Sequence, residues 1–309
     1  MSSPSPAPSR SRTPVDLDRA TGVTIVPGLR VLAPRYDALI LDLWGVLHDG
    51  VRPYPWVIPC LERLRASGRK LCALSNAPRR VSRVAAHMAE MGLPPELVGA
   101  IYSSGEATYE ALNGTAGIQP PGLPGSHCFH IGADDDAQLA LADNIQLVGN
   151  PANADFVLCT GVETVDDRLE DYQTVLRACL RHALPLICAN PDLEVMQGDR
   201  TKICAGALAA FYEREGGNVV YFGKPHRPVY DRCLEILSSP PEHVLAVGDS
   251  FRTDVAGALG AGIDCLLIAA GIDTEILIAP DGSVDAAALE RSAIEWNLWP
   301  RWTGARFEW

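Results

Sequence analysis

From Tyr36 onward the chain alternates short apolar runs with stretches of helical periodicity. ALILDL, from Ala38, reads as a buried strand and runs into a Gly/Pro-rich bend, GVLHDGVRPYP. VIPCLERLRAS follows with helical spacing, and Gly68 stands just beyond it as a stop. KLCALS is a second strand. In RRVSRVAAHMAEMG, the residues Val81, Val84, Ala85, Met88 and Met91 recur on one helical face. NVVYFG, HVLAVG and CLLIAA repeat the buried-strand pattern, with PVYDRCLEIL and DVAGALGAG as the intervening helices. Alternation of this kind predicts an α/β fold: a Rossmann-like, doubly wound parallel sheet with helices on both faces.

The middle of the chain breaks the rhythm. Gly114 to Gly125 (GTAGIQPPGLPG) is a Gly/Pro-rich edge, after which HCFHIG, ADFVLCTG and PLICANP read as strands and Ala137–Ala142 and Leu169–Ala183 as helices. A smaller α/β unit is therefore predicted to be inserted into the larger one. The expected division is a flexible tail over 1–30, core over 31–112, insert over 113–205, and core again over 206–309. The last piece ends in a Trp-rich C-terminus. Trp296, Trp299, Trp302 and Trp309 read as aromatics buried against the core or in a dimer contact, with a ligand-stacking surface as the alternative. The Asp134–Asp136 run reads as helix N-terminal capping rather than a metal site.

Composition narrows the function classes. A formal net charge of −12 over 309 residues gives no counterion-release affinity for nucleic acid or anionic membranes. An anionic substrate would need a local lysine or a bound metal. The nine cysteines include no C-x-x-C pair and mostly sit in apolar runs, which is the pattern of reduced, buried thiols. No stretch approaches the roughly 18 apolar residues of a membrane span. MSSPSPAPSRSRTP has no apolar h-region behind it and reads as a disordered tail, not a secretory signal. The expected setting is cytoplasmic.

Parallel sheets carry their sites at the carboxyl ends of the strands. Asp42 ends the first strand, and Ser75 and Asn76 end the second. Lys224 follows NVVYFG, and Asp249 and Asp254 follow HVLAVG. Three carboxylates and a lysine gathered at one edge suit a hard cation and a phosphoryl group. Mg²⁺ takes one or two carboxylates plus waters and phosphate oxygens, and an aspartate can serve as a covalent nucleophile. The glycines 257, 260 and 262 do not make a dinucleotide fingerprint, since their spacing is G-x-x-G-x-G within a helix rather than at a strand-to-helix turn.

In their order, these segments resemble the haloacid dehalogenase (HAD) superfamily. The first motif, D-x-D-G-[TV], corresponds to Asp42-Leu43-Trp44-Gly45-Val46. The second corresponds to Ser75 in ALSN, the third to Lys224 in FGKP, and the fourth to Gly248-Asp249 through Asp254. The insert between the second and third motifs resembles the class II, subtype A caps of the pyridoxal phosphate, sugar and nucleotide phosphatase group. The resemblance implies Asp42 as nucleophile, with Ser75 and Asn76 at the phosphoryl group. Lys224 would offset charge, and Mg²⁺ would sit on Asp42, the Trp44 carbonyl, Asp249 and Asp254. It implies a small phosphorylated metabolite as substrate and a homodimer made through the cap.

One position departs from the pattern. The second carboxylate of the first motif, the general acid/base of the family's phosphatases, is Trp44. An indole neither protonates a leaving alkoxide nor deprotonates water, and such assistance is worth about 10²–10⁴-fold. Three readings stay open. The protein hydrolyses substrates with good leaving groups, or His48 or Asp49 replaces the acid, or turnover is attenuated and the protein binds a phosphorylated ligand or scaffolds a partner. Specificity is expected in the insert, where Glu163, Thr164, Asp166, Asn190 and Asp192 are the loop residues that could face the core.

Overall fold

The computed structural model describes residues 23–114, 125–140, 145–197 and 200–309. The first part of the chain supplies β1 (Thr24–Ile25), β2 (Ala38–Leu41), α1 (Val57–Ala66), β3 (Lys70–Ser75), α2 (Val81–Glu90), β4 (Ala100–Ser103) and α3 (Ser104–Leu112). The inserted segment adds β5 (His127–Ile131), β6 (Gln146–Leu147), β7 (Phe156–Cys159), α4 (Leu169–Arg181) and β8 (Leu186–Cys188). It continues through β9 (Glu194–Gln197), β10 (Arg200–Ile203), α5 (Ala205–Arg214) and β11 (Val219–Tyr221). The return consists of α6 (Arg227–Leu237), β12 (Val244–Gly248) and α7 (Ala256–Gly260), which is entered through a π-turn at Phe251–Val255. Then come β13 (Asp264–Ile268), α8 (Thr274–Leu277), α9 (Ala286–Trp296) and β14 (Trp302–Gly304).

Seven strands form one parallel sheet in the order β1-β14-β13-β12-β2-β3-β4. Five more form a second parallel sheet, β11-β8-β7-β5-β6, and β9 and β10 pair only with each other, antiparallel. The large sheet is apolar on both sides because side chains alternate along each strand. Leu39, Leu41, Ala73 and Val247 face α1 and α2, while Ala38, Ile40, Leu74 and Ala246 face α6 and α7. That double burial explains why these strands read as continuous apolar runs. All nine cysteines are buried and unpaired. No helix among the described residues is long and apolar enough to cross a membrane.

Several expectations are corrected. NVVYFG is not a strand of the large sheet: β11 pairs with β8 in register Val219↔Leu186. α5 packs on the same sheet, with Leu208, Phe211 and Tyr212 against Leu186 and Cys188. Residues 206–221 therefore go with the insert, past the expected boundary at 205. The tail expected over 1–30 is structured from Thr24, because β1 pairs with β14 and Leu29 is fully buried. Residues 1–22, and the linker over 115–124, lie outside the described residues. Asp134–Ala140 is a 3-10 turn, and Asp136 pairs with Arg79 at 3.2 Å. Of the C-terminal tryptophans, Trp302 is buried and donates to the Tyr36 hydroxyl at 2.7 Å, whereas Trp296 and Trp299 are exposed.

Candidate active site

The chain runs β2 to β3 to β4 towards one edge of the large sheet and β12 to β13 to β14 towards the other. The order reverses between β2 and β12, and a crevice opens at the carboxyl ends of strands at such a point. Asp42 leaves the end of β2, Ser75 ends β3, and Asp249 leaves β12, with Asp254 one turn further in the π-turn. Lys224 arrives from the insert, three residues after β11.

The structure brings these residues together. Oxygens of Asp42, Asp249 and Asp254 all lie within 4.8 Å of one another. The Lys224 ammonium is 2.6 Å from Asp42 Oδ1 and 2.8 Å from Asp254 Oδ1. Leu43 N–H donates to Asp42 Oδ1 at 2.8 Å, Ser250 N–H to Asp254 Oδ2 at 3.2 Å, and Ile272 N–H to Asp249 Oδ2 at 2.8 Å. Gly45 and Gly271 make room for Asp249, since a Cβ on either would lie 1.9 Å and 2.1 Å from its side chain. Ser75 Oγ accepts from Ala77 N–H at 3.2 Å. Asn76 ties core to insert. Its Oδ1 accepts from Lys224 N–H (2.7 Å) and Ser104 Oγ–H (3.2 Å), and its Nδ2 donates to Asp192 Oδ1 (2.9 Å) and the Lys224 carbonyl (3.1 Å).

All four charged groups are buried. Burial pushes the Asp42 carboxyl up, Lys224 opposes the shift, and Asp254 adds to it. Asp249 is pushed well up by burial and then by Asp42 and Asp254, and Asp192 is raised by burial. Burial works against the charge on Lys224, but Asp254, Asp42 and Asp192 outweigh it and raise its pKa. Three buried carboxylates against one ammonium leave negative charge in excess, and the donors are all hard oxygens. That donor set fits a magnesium-sized cation.

Asp42, Asp249 and Lys224 line a cavity of about 670 Å³ between the large sheet and the insert, with Asp254 beneath them. Asn190 and Asp192 line it, as expected of residues facing the core. Glu163, Thr164 and Asp166 do not. The first two are gathered around Asp167, and Asp166 pairs with Arg200. Tyr54, Lys202, Arg252, Ile272 and Trp296 also line the cavity. Sequence pattern singled out only Trp296 among them, and for burial instead. The others carry no local signal, because folding alone brings their loops to the rim.

Neither proposed replacement acid is in place. His48 is 3% exposed and does not line the cavity. Its Nδ1 accepts from Gly50 N–H at 3.0 Å, and burial lowers its pKa to about 4, so the ring is neutral. Asp49 also stands off the cavity. Burial works against its charge, yet N–H bonds from Arg52 and Val51 hold its carboxylate low. Trp44 does line the cavity, and its indole N–H donates to the Met196 carbonyl at 2.7 Å.

Known proteins share this architecture. A sequence model described as haloacid dehalogenase-like hydrolase matches residues 39–146, and a HAD-hydrolase-like model matches 221–288. Human chronophin is 26% identical over 79% of this chain and 84% of its own length. The 5′-nucleotidase YutF of Bacillus subtilis is 23% identical over 84% and 97%. A haloacid dehalogenase-like family hydrolase of known structure from Brucella suis 1330 superposes with a TM-score of 0.78 at 32% identity, covering 91% of this chain and 99% of that one. Identity at that level along nearly the whole of both chains means that this protein belongs to the haloacid dehalogenase-like hydrolases.

Proposed function

We propose that the protein is a Mg²⁺-dependent phosphatase of small phosphorylated metabolites that works through an aspartyl-phosphate on Asp42. One observation carries this reading: three buried carboxylates, Asp42, Asp249 and Asp254, meet within 4.8 Å around a single lysine at the strand ends. Holding that much like charge out of water is costly unless a cation and a phosphoryl group make use of it. Similarity to a 5′-nucleotidase supports the same substrate class.

Asp42 attacks phosphorus, the bond from phosphorus to the leaving oxygen breaks, and the leaving group departs with the electron pair. Water then attacks the phosphorus of the aspartyl-phosphate, releasing phosphate and restoring Asp42. Lys224 holds Asp42 in line and offsets charge on the phosphoryl oxygens, and Ser75 and Asn76 shape the loop that receives them. Asp42, Asp249, Asp254 and the Trp44 carbonyl would hold Mg²⁺, which when bound neutralises charge on the phosphoryl group. With Trp44 in place of the acid and His48 and Asp49 off the cavity, no side chain of the motif protonates the departing oxygen. The substrates that suit the site are those whose leaving group departs as a stable anion. The binding-only alternative is less favoured, because binding alone gives no reason to press a lysine onto the nucleophile. The buried, unpaired cysteines support a reducing, cytoplasmic setting.

The test is phosphate release from p-nitrophenyl phosphate with Mg²⁺. Asp42→Asn is expected to lose about 10³-fold or more of the rate. A variant that keeps the wild-type rate removes Asp42 from the chemistry.

A further inference from the structure

We propose that Trp44 is a positioning residue that fastens the β9–β10 hairpin of the insert over the reaction centre. It stands two residues after Asp42, on the loop leaving β2. Its Nε1–H reaches the carbonyl of Met196, 152 residues away in β9, at 2.7 Å. β9 and β10 belong to neither parallel sheet, so backbone pairing fixes them only to each other. Apart from the backbone links at its base, side-chain contacts such as that of Trp44 and the Arg200–Asp166 pair set where the hairpin lies.

The loop after β2 is shaped to seat the indole. Gly50 has φ of +85°, and a Cβ there would lie 2.3 Å from Trp44 Cζ2, so glycine is required both by the backbone and by the ring above it. His48 meets the indole edge-on at 5.3 Å, and its Nδ1 accepts the Gly50 N–H, which holds the turn beneath the ring. Trp44 and the hairpin residues Val195, Met196 and Lys202 line the same cavity. The bond therefore joins the loop that carries the nucleophile to the hairpin across the lining of one cavity. A carboxylate at position 44 has no N–H to give a carbonyl at neutral pH. The side chain that elsewhere in the family moves protons here holds the hairpin down.

Amide hydrogen exchange on the intact protein tests this without turnover, so its outcome is separate from that of the phosphatase reading. In Trp44→Phe, which keeps an aromatic ring but loses the N–H, amides of 194–197 and 200–203 are expected to exchange about two- to tenfold faster. Those of β7 should stay unchanged. Gly50→Ala, which unseats the indole without deleting its N–H, should loosen the same segment. In turnover of p-nitrophenyl phosphate, Trp44→Phe is expected to raise KM by more than it lowers kcat. Hairpin exchange at the wild-type rate in Trp44→Phe overturns the proposal. So does an equal rise across β7, or a loosened hairpin with KM unmoved.

Discussion

At the ends of β2 and β12, three carboxylates share a buried space with one ammonium. A divalent cation would relieve their repulsion, and the protein's stability should report it. At ~100 times its Kd, Mg²⁺ adds about 2.7 kcal/mol, a rise in Tm of roughly 4 °C for a chain of 309 residues. Asp249→Asn should lose most of that rise, and a wild-type Tm indifferent to Mg²⁺ would remove the metal from the site. The charged residues were legible in the sequence because Asp42 and Asp249 directly follow apolar strand runs, and Lys224 and Asp254 come within a few residues of one. The neutrality of His48 was not, since it depends on burial and on the Gly50 N–H. That Trp44 removes the acid was plain from its chemistry. That its N–H finds Met196 depends on a fold contact no local pattern encodes.

Among the elements, α3 supports the site from behind. Ser103 begins it, with Oγ accepting from Glu106 N–H at 3.0 Å and donating to the Arg79 carbonyl, in the loop that follows Ser75 and Asn76. The hydroxyl is fully buried, so its removal leaves a helix N–H and a loop carbonyl unpaired. Ser103→Ala should cost about 1–3 kcal/mol, read as a lower urea midpoint with an unchanged m-value. A loss under about 0.5 kcal/mol, the scale of ordinary surface changes, would mean that the helix start does not depend on this residue. Helices and strands were legible wherever periodicity was strong, as in α2 and β12. Which sheet a strand joins was not: Val219–Tyr221 has the pattern of a core strand, yet pairs with β8 because α5 delivers it to that edge.

Over the whole molecule, loops at the strand ends of both parallel sheets line the cavity, and Lys224 enters it from the segment that follows the insert. The alternation of strands and helices foretold the architecture, and the switch in strand order between β2 and β12 explains why the charged residues converge. The rim, with Tyr54, Arg252, Ile272 and Trp296, was beyond the reach of pattern because these residues meet only once both sheets are assembled. The central claim is that Asp42 attacks while no side chain of the first motif protonates the leaving group. The direct measurement is kcat/KM with Mg²⁺ across acetyl phosphate, p-nitrophenyl phosphate and alkyl sugar phosphates. The expected result is activity that falls steeply as the leaving group becomes more basic, by at least the ~10²–10⁴-fold that a general acid would have supplied. A flat dependence would contradict the account and place a proton donor in the cavity.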